Sequence, residues 1–456
     1  MAATPHRTVY ASLIGLGFGD CGKGLFTDAL CRRLGAHTVV RYNGGAQAGH
    51  NVVLPDGRHH TFSQFGAASF NPGVATVLAA PVVVHPTALA VEARVLGAKG
   101  VADAWPRLFI DGRCRVTTPY HQAAGRLREW QRGAKAHGSC GVGVGETVRL
   151  GLQHPALVLR YADLRHPARA RECLQAIRER LAADFDLGQA NAQPAWAEET
   201  QALADEHLAD RWLAAVEPVL AQAPPQASGA LAERLGRPGA VLFEGAQGLL
   251  LDEWHGFHPH TTWSSTGPAA VEAVLASLGV VAPVRHHGIL RSHLTRHGAG
   301  PLPSHDVALD VIAEPHNTDD GWQGAFRRGH PDAVLLRHAI AAGHGWHSLF
   351  VSHLDVFERG VPLRWCEAYE LRDPVHGAGR TLTALPRGRP QDLAHQEALT
   401  RLLRAAQPRY GDAPLASTQA LIERLQDTTG LRVAATSHGP TAGDVNWRFA
   451  FSSHGA

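Results

Sequence analysis

The chain has 456 residues, of which 45% are apolar and 18% are charged, enough for a large hydrophobic core. A formal net charge of +2 excludes a strongly basic surface of the kind that binds nucleic acid. The count of 29 histidines is not by itself evidence for a metal site. The six cysteines include no C-x-x-C pair, which favours reduced thiols. No apolar run reaches transmembrane length and no apolar leader begins the chain, so we expect a cytoplasmic protein without a membrane partner.

The first motif is a glycine-rich stretch, G-L-G-F-G-D-C-G-K-G at residues 15–24, between a predicted strand at 8–14 and a predicted helix at 25–34. This layout is typical of a phosphate site, because glycines let the backbone approach an anion and a helix N-terminus directs N–H groups toward it. The spacing G-x-x-x-x-G-K of a P-loop ends at Lys23. Gly24, however, stands where a P-loop has the Ser or Thr that holds Mg²⁺.

Asp20 lies inside the same stretch. A carboxylate that faces phosphate is unfavourable unless a metal or a proton compensates its charge. Three interpretations follow from the residues: Asp20 ligates Mg²⁺, it abstracts a proton from a substrate, or it points away as a turn residue. At this point of the chain all three stay open.

Strands and helices alternate along the chain. A second glycine-rich stretch, N-G-G-A-Q-A-G-H-N at 43–51, has the composition of a loop that approaches a ligand or of a plain connection. The alternation predicts an α/β fold with a large, mainly parallel central sheet and flanking helices. Strands are predicted at 38–42, 52–54, 74–80, 107–111 and 431–436, and a helix at 87–96.

The middle of the chain changes in character. Glycine is dense in G-S-C-G-V-G-V-G-E at 138–146, which predicts a loop in close contact with another group. Residues 161–223 become helical in pattern and rich in alanine, which predicts a helical insertion over one side of the sheet. No repeat or clear linker interrupts the chain, so we expect residues 1–456 to form a single elaborate domain.

Polar groups follow several predicted strands of the second half. The strand at 240–243 delivers E-G-A-Q-G at 244–248 to its carboxyl end, where open α/β sheets bind ligands. The H-x-H spacing at 258–260 has no acidic or cysteine partner, which disfavours zinc. A basic loop at 324–329 suits an anionic substrate or a solvated turn. The strand at 349–356 carries a carboxylate that could accept hydrogen bonds from a guanine edge or cap a helix.

Three of these motifs, in this order and at plausible spacing, resemble the adenylosuccinate synthetase family. G-D-C-G-K-G at 19–24 is similar to the family's G-D-E-G-K-G, with Cys21 in place of glutamate. G-G-A-Q-A-G-H at 44–50 is similar to G-G-x-N-A-G-H, with Gln47 in the asparagine position. F-E-G-A-Q-G-L-L-L-D at 243–252 matches F-E-G-A-Q-G-x-x-L-D outright. Weaker similarity continues to S-H-G-P near the end, so the resemblance covers nearly the whole chain.

The resemblance implies a P-loop-like, GTPase-type core and a GTP-dependent ligase that joins the amino group of aspartate to carbon 6 of IMP. In that reaction O6 of IMP is first phosphorylated and the amine then displaces phosphate. The resemblance implies that Asp20 removes the proton from purine N1 and also ligates Mg²⁺, with one ion per subunit. It implies that His50 acts as an acid on the transferring phosphoryl group. It adds the Gly49 carbonyl as a second Mg²⁺ ligand and Gln247 as a catalytic residue at the purine.

The other contacts implied by the resemblance divide between two nucleotides. Arg149 stands where an arginine reaches the IMP phosphate of a partner subunit, which implies a homodimer. His353 replaces the lysine of the family's T-K-L-D. GTP binding is implied for Gly19, Gly22, Lys23, Gly24, Asn51, His353, Asp355, Ser437 and Gly439. IMP binding is implied for Gln47, Cys140, Arg149, Gln247 and Thr262.

The amino-acid loop departs furthest from the family pattern. The family reads T-T-G-R-x-R-R and this chain reads W-Q-G-A-F-R-R at 322–328, which leaves Gln323, Gly324, Arg327 and Arg328 as candidate contacts. Losing the cationic partner of a buried carboxylate costs on the order of 3–5 kcal/mol. Two alternatives therefore stay open: a paralogue that applies the same activation to a different amine or a modified purine nucleotide, and a nucleotide-binding pseudoenzyme.

Overall fold

A ten-stranded, mostly parallel sheet forms the centre of the structure, as the alternation of strands and helices predicts. The computed structural model describes residues 8–133, 136–188, 194–314, 317, 322–371, 379–389 and 391–449. The strands are β1 (Val9–Gly15), β2 (Ala36–Arg41), β3 (His50–Val53), β4 (His59–Phe62), β5 (Ala75–Leu78), β6 (Val83–Val84), β7 (Leu108–Asp111), β8 (Arg115–Val116), β9 (Pro225–Gln226), β10 (Ala240–Glu244), β11 (Val284–Arg291), β12 (Leu294–His297), β13 (Phe326–Gly329), β14 (Trp346–Ser352), β15 (Cys366–Leu371), β16 (Arg380–Leu382), β17 (Gln407–Tyr410), β18 (Val433–Ser437) and β19 (Val445–Trp447).

Helices flank this sheet. Across the described residues they are α1 (Lys23–Leu34), α2 (Pro86–Ala98), α3 (Pro119–Arg132), α4 (Val144–Gln153), α5 (Pro167–Ala182), α6 (Ala197–Ala204), α7 (Leu208–Gln222), α8 (Ser228–Leu235), α9 (Pro268–Ser277), α10 (Ala333–Ala341), α11 (Asp355–Glu358), α12 (Leu393–Ala405) and α13 (Thr418–Thr429). No helix in this part of the chain is long and apolar enough to cross a membrane.

The strand order is β19-β18-β14-β11-β1-β10-β2-β5-β7-β9, and the neighbours are parallel except for β18 and β19. β1 lies near the middle, where Ala11 pairs with Leu242 of β10 and with Arg285 of β11. Because these strands run in one direction, their carboxyl ends meet at one edge of the sheet. The predicted α/β class is therefore confirmed, and the three motifs emerge at a common edge.

Alternate residues of β1 pack on opposite helices. Ala11 and Leu13 share a buried cluster with Phe26 of α1, whereas Tyr10 packs in a second cluster with Val271 of α9. Because both faces of β1 are covered by helices, neither face needs polar residues, which explains the almost continuous apolar sequence of this strand.

The predicted helical insertion at 161–223 is helical in the part that the structure describes, with α5, α6 and α7. Leu174 and Ile177 of α5 share a buried cluster with Ile110 of β7, so the insertion packs at this side of the sheet. That residues 1–456 form one domain stays a prediction.

Three predicted boundaries differ from the structure. The sequence predicts a loop at His50, whereas His50 begins β3 and pairs with Phe62 in the β3–β4 hairpin. The strand predicted at 349–356 ends at Ser352, and Asp355 begins the short helix α11. The basic loop expected at 324–329 contains the strand β13, which pairs with β12.

Acidification should lower the free energy of unfolding between about pH 6.5 and pH 4. Burial lowers the pKa of His50, His121 and His293 to about 4, whereas unfolded histidine titrates near 6.5. In this window the unfolded chain binds more protons than the folded chain, so stability falls as pH falls. His121 shows why: its Nδ1 accepts the Thr118 N–H at 3.2 Å, an interaction lost on protonation.

Urea unfolding at pH 7, 6, 5 and 4 measures this effect. A His121→Gln variant should lose less stability over the window than the native chain, by on the order of 2–3 kcal/mol. Equal losses in both proteins would contradict the assignment of a neutral His121.

Candidate active site

A cavity of about 820 Å³ opens at the carboxyl edge of the sheet. Most of the predicted site residues line it: Gly19, Asp20, Gly22, Lys23, Gly24, Gln47, Gly49, His50, Asn51, Cys140, Arg149, Gln247, Thr262, Gln323, His353, Asp355 and Gly439. Four predicted residues lie outside the lining, namely Gly324, Arg327, Arg328 and Ser437.

Three non-glycine residues with left-handed backbone lie at this cavity. Asp20, Gln247 and His353 have φ values of 35°, 55° and 58°. Each follows a strand of the sheet, namely β1, β10 and β14. Such conformations cost about 1–3 kcal/mol each and persist where surrounding contacts fix them, often at functional sites.

Gly24 lies against the hairpin strand β3. A Cβ at this position would be 2.5 Å from the carbonyl oxygen of Asn51 and 2.9 Å from the carbonyl carbon of His50. Neither Ser nor Thr fits there, so the missing P-loop hydroxyl follows from the close approach of α1 and β3. Lys23, the first residue of α1, is 4% exposed, and its Nζ lies 3.6 Å from the Cys21 Sγ.

The second and third motifs are joined by hydrogen bonds. The Asn43 side chain donates to the Ala246 carbonyl at 3.2 Å and accepts the Ala246 N–H at 2.8 Å. A Cβ on Gly44 would lie 2.9 Å from the Ala246 Cβ, so only glycine permits this contact. The amide oxygens of Gln47 and Gln247 are buried without a hydrogen-bond partner, and both residues line the cavity.

His50 is paired with a buried carboxylate that the sequence reasoning missed. The His50 Nδ1 lies 2.5 Å from the Glu244 Oε1, and the Glu244 Oε2 accepts the Ala67 N–H at 2.9 Å. His50 and the Arg41 charge hold the pKa of Glu244 below its usual value despite burial. Glu244 therefore stays ionised and fixes the tautomer of His50, with Nε2 free for the cavity. A carboxylate at the end of an apolar strand was the available signal, because such a group needs a partner.

The donors around Asp20 fit Mg²⁺. Asp20 offers a carboxylate that is 34% exposed, and Gly49 lines the same cavity with its backbone. Within the described residues no group of three or more His, Cys, Asp or Glu side chains could hold a metal by itself. Mg²⁺ binds oxygen ligands and commonly uses one or two protein groups together with phosphates and water, so this sparse set suits it.

His297, whose Nε2 lies 3.6 Å from the Asp20 Oδ2, is a second residue that sequence reasoning missed.

Both ring nitrogens of His353 are hydrogen-bonded to other side chains of this protein. Its Nε2 accepts from the Arg291 Nη2 at 2.7 Å and its Nδ1 donates to the Ser352 Oγ at 2.7 Å. Burial and the Arg291 charge hold the pKa of His353 well below its usual value. The neutral ring therefore orients neighbouring groups and has no spare donor. Asp355 lines the cavity beside it and pairs with Arg359.

Three of the predicted IMP-binding residues, Cys140, Arg149 and Thr262, line the cavity. The Arg149 Nε donates to the Glu146 Oε2 at 3.0 Å, and its Nη2 lies 3.5 Å from the Asp184 Oδ2. Burial raises the pKa of the Cys140 thiol, which keeps it protonated. Thr262 is placed by its N–H, which donates to the Leu251 carbonyl at 2.7 Å.

The amino-acid loop is fixed by aromatic packing. The Trp322 ring lies 5.2 Å from Trp130, which stacks on Trp196 at 5.6 Å. A Cβ on Gly141 would lie 2.9 Å from Trp322, so this ring also holds the 138–143 loop. Arg328 is hydrogen-bonded to the Ile312 carbonyl at 3.0 Å and is not at the cavity.

Comparisons with known proteins point to one family. A family model described as adenylosuccinate synthetase matches residues 12–445. The adenylosuccinate synthetase of Mycobacterium leprae is 32% identical over 450 residues, covering 94% of this chain and 95% of the relative. That of Neisseria gonorrhoeae strain FA 1090 is 30% identical over 437 residues, covering 94% and 96%.

Two solved structures share the fold. A fully ligated adenylosuccinate synthetase from Plasmodium falciparum superposes with a TM-score of 0.76 at 17% identity, covering 97% of this chain and 100% of the other. A cyanophage S-2L succinoaminodeoxyadenylate synthetase, bound to dGMP and dATP, has a TM-score of 0.59 at 17% identity, with 97% and 96% covered.

The family match confirms the predicted class of enzyme: a GTP-dependent carbon–nitrogen ligase of purine biosynthesis that requires Mg²⁺ and acts on IMP and aspartate. It covers the three motifs, the cavity between them and the altered amino-acid loop. The chain therefore belongs to the adenylosuccinate synthetase family.

Proposed function

We propose that this chain makes adenylosuccinate with Asp20, His50 and Gln247 as its catalytic residues. The observation that supports this most is the meeting of the Asp20 carboxylate, the His50–Glu244 pair and the phosphate loop at one cavity. Asp20 and the phosphate loop follow β1, His50 begins β3 and Glu244 ends β10, so three strands bring these groups together.

Asp20 acts as the base in the activation step. Its carboxylate takes the N1 proton of IMP, so that electrons flow from N1 to O6 and O6 becomes the nucleophile toward the γ-phosphorus of GTP. The side chains of Gln247 and Gln47 line the cavity, and their amide N–H groups would donate to the acceptor atoms of the purine. Asp20 and the Gly49 carbonyl would hold Mg²⁺, which supplies positive charge to the phosphates being transferred.

His50 stabilises the charge on the transferring phosphoryl group. Burial lowers the pKa of His50 to about 4, so the ring is neutral before the nucleotide binds. Negative charge beside Nε2 favours the imidazolium, and Glu244 stabilises that form through Nδ1. Lys23 and the backbone N–H groups at the start of α1 hold the neighbouring phosphates.

We also propose a cytoplasmic homodimer. All six cysteines are free thiols, which suits a reducing compartment. Arg149 lines the cavity and its guanidinium is paired with Glu146 and Asp184. In the dimer, the IMP phosphate of the partner subunit would compete with these carboxylates for Arg149.

Two measurements test the two halves of the reaction. With IMP, GTP and Mg²⁺ but no amino acid, phosphorylation of O6 should scramble ¹⁸O between the bridging and non-bridging β-phosphate oxygens of GTP. Adding aspartate should then produce adenylosuccinate, detected by mass. Scrambling without an aspartate product would favour a different amine, as the altered 322–328 loop suggests. Absence of both, with nucleotide still bound, would favour a pseudoenzyme and overturn the proposal.

Replacing Glu244 by Gln should lower kcat on the order of 10²-fold with little change in the dissociation constant of GTP. The amide can still accept the Ala67 N–H, but it lacks the charge that stabilises a protonated His50. Stopped-flow phosphate release and GTP titration measure the two quantities. An unchanged kcat would show that Glu244 serves only the packing of β10.

A further inference from the structure

Arg296 is a buried cation at the edge of the cavity. Its side chain is only 2% exposed, and its Nη1 and Nη2 donate to the Pro301 and His260 carbonyls at 2.8 and 3.1 Å. The buried Nε has no hydrogen-bond partner, and the guanidinium lies 4.1 Å from the centre of the Phe18 ring. A buried guanidinium is unfavourable unless an anion compensates its charge.

Two more arginines converge on the turn beside it, residues 298–301. The Arg327 Nη2 donates to the Gly300 carbonyl at 2.5 Å. The Arg404 Nη2 donates to the Ala299 carbonyl at 3.4 Å and to the His260 Nε2 at 3.0 Å. No carboxylate of the described residues lies within 4.0 Å of Arg296, Arg327 or Arg404. The neighbouring charges of Arg327 and Arg404, together with burial, lower the pKa of Arg296.

The turn lies next to the amino-acid loop. A Cβ on Gly298 would be 2.8 Å from the carbonyl oxygen of Gln323. Gln323, Arg296, Gly300 and His260 all line the cavity. Arg296 therefore borders the cavity beside the loop in which the family's threonines and first arginine are missing, while Arg327 and Arg404 lie behind it, outside the lining.

We propose that Arg296, supported by Arg327 and Arg404, binds a carboxylate of the amino-acid substrate in place of the missing loop residues. A carboxylate at the free Nε would satisfy the buried donor and neutralise the cluster. Arg404 comes from α12, far in sequence from the amino-acid loop. The inference rests on the proposed function, and phosphate is the other anion with the required chemistry.

Arg404→Gln and Arg296→Lys test the assignment, with Arg401→Gln as the matched control. Arg401 is on the same helix as Arg404, is 71% exposed and pairs with Glu397. Arg401→Gln therefore removes the same charge from the helix without affecting the turn. Losing a charged hydrogen bond of 1.5–3 kcal/mol corresponds to roughly 10- to 100-fold. We expect the KM for aspartate to rise about 10-fold in Arg404→Gln and more in Arg296→Lys, with the control near the native value.

A binding readout separates this inference from the proposed function. Succinate, a dicarboxylate without an amine, should raise the melting temperature of the native chain and of Arg401→Gln, but much less that of Arg404→Gln. A rise in the KM for IMP alone would assign the cluster to the nucleotide phosphate and overturn the inference. A lower melting temperature with native KM and succinate shift would show that the arginines only support the turn, which also overturns it.

Discussion

An Asp20→Asn variant is expected to lose about 10⁴-fold in kcat while it still binds GTP and IMP. The amide cannot take the N1 proton, and it is a weaker oxygen ligand for Mg²⁺. Asn also adopts the left-handed conformation readily, so the backbone at φ 35° is kept. Product formation at saturating substrates and nucleotide binding by calorimetry measure the two effects.

Asp56→Asn is the matched control, because it makes the same Asp-to-Asn change and removes one negative charge outside the cavity. Asp56 is exposed and pairs with Arg58, away from the cavity lining. Its replacement should leave kcat near the native value. If Asp20→Asn kept more than a tenth of native activity, Asp20 would be a turn residue and neither the base nor a metal ligand.

A Gly24→Ser variant, which restores the P-loop hydroxyl, should inactivate the enzyme by at least about 10²-fold. The added Cβ would be 2.5 Å from the Asn51 carbonyl oxygen, so α1 and β3 must separate. Such overpacking typically costs about 1–3 kcal/mol and displaces His50, the neighbour of Asn51 on the same strand. Thermal melting and phosphate release measure the two losses.

Gly24→Ala and Gly97→Ser distinguish the steric effect of the added Cβ at position 24 from the effect of a serine hydroxyl. Alanine at position 24 should fail as severely as serine, because the Cβ and not the hydroxyl causes the clash. Gly97 of α2 has no atom within 4 Å of its Cβ position, so Gly97→Ser should retain activity. An active Gly24→Ser enzyme would show that the α1–β3 contact is adjustable.

The phosphate loop could be predicted because its signal is local. Strand β1, the glycines and α1 follow one another in sequence, and each has its own residue pattern. The His50–Glu244 pair could not be predicted this way, since the two residues are 194 positions apart and meet only when β3 packs against the sheet.

The amino-acid loop shows a second limit of sequence reasoning. Arg327 and Arg328 predict a basic loop, yet they lie on β13, and their guanidiniums donate to the carbonyls of Gly300 and Ile312. Composition reports charge but not which backbone carbonyls a side chain can reach. Arg296 and Arg404 carry no motif, and their convergence on one turn is visible only in three dimensions.

The strand order constrains when the enzyme can first bind nucleotide during synthesis. The Ser352 hydroxyl donates to the Cys21 carbonyl of the phosphate loop, 331 residues earlier, and Tyr10 of β1 donates to the Leu235 carbonyl, 225 residues later. Contacts of such sequence separation form late, because long loops must close first. A nascent chain that ends before β14 therefore has the complete P-loop-like motif without the Ser352 hydrogen bond to it. Nucleotide affinity should arise only near the end of translation, which makes GTP binding a reporter of completed folding.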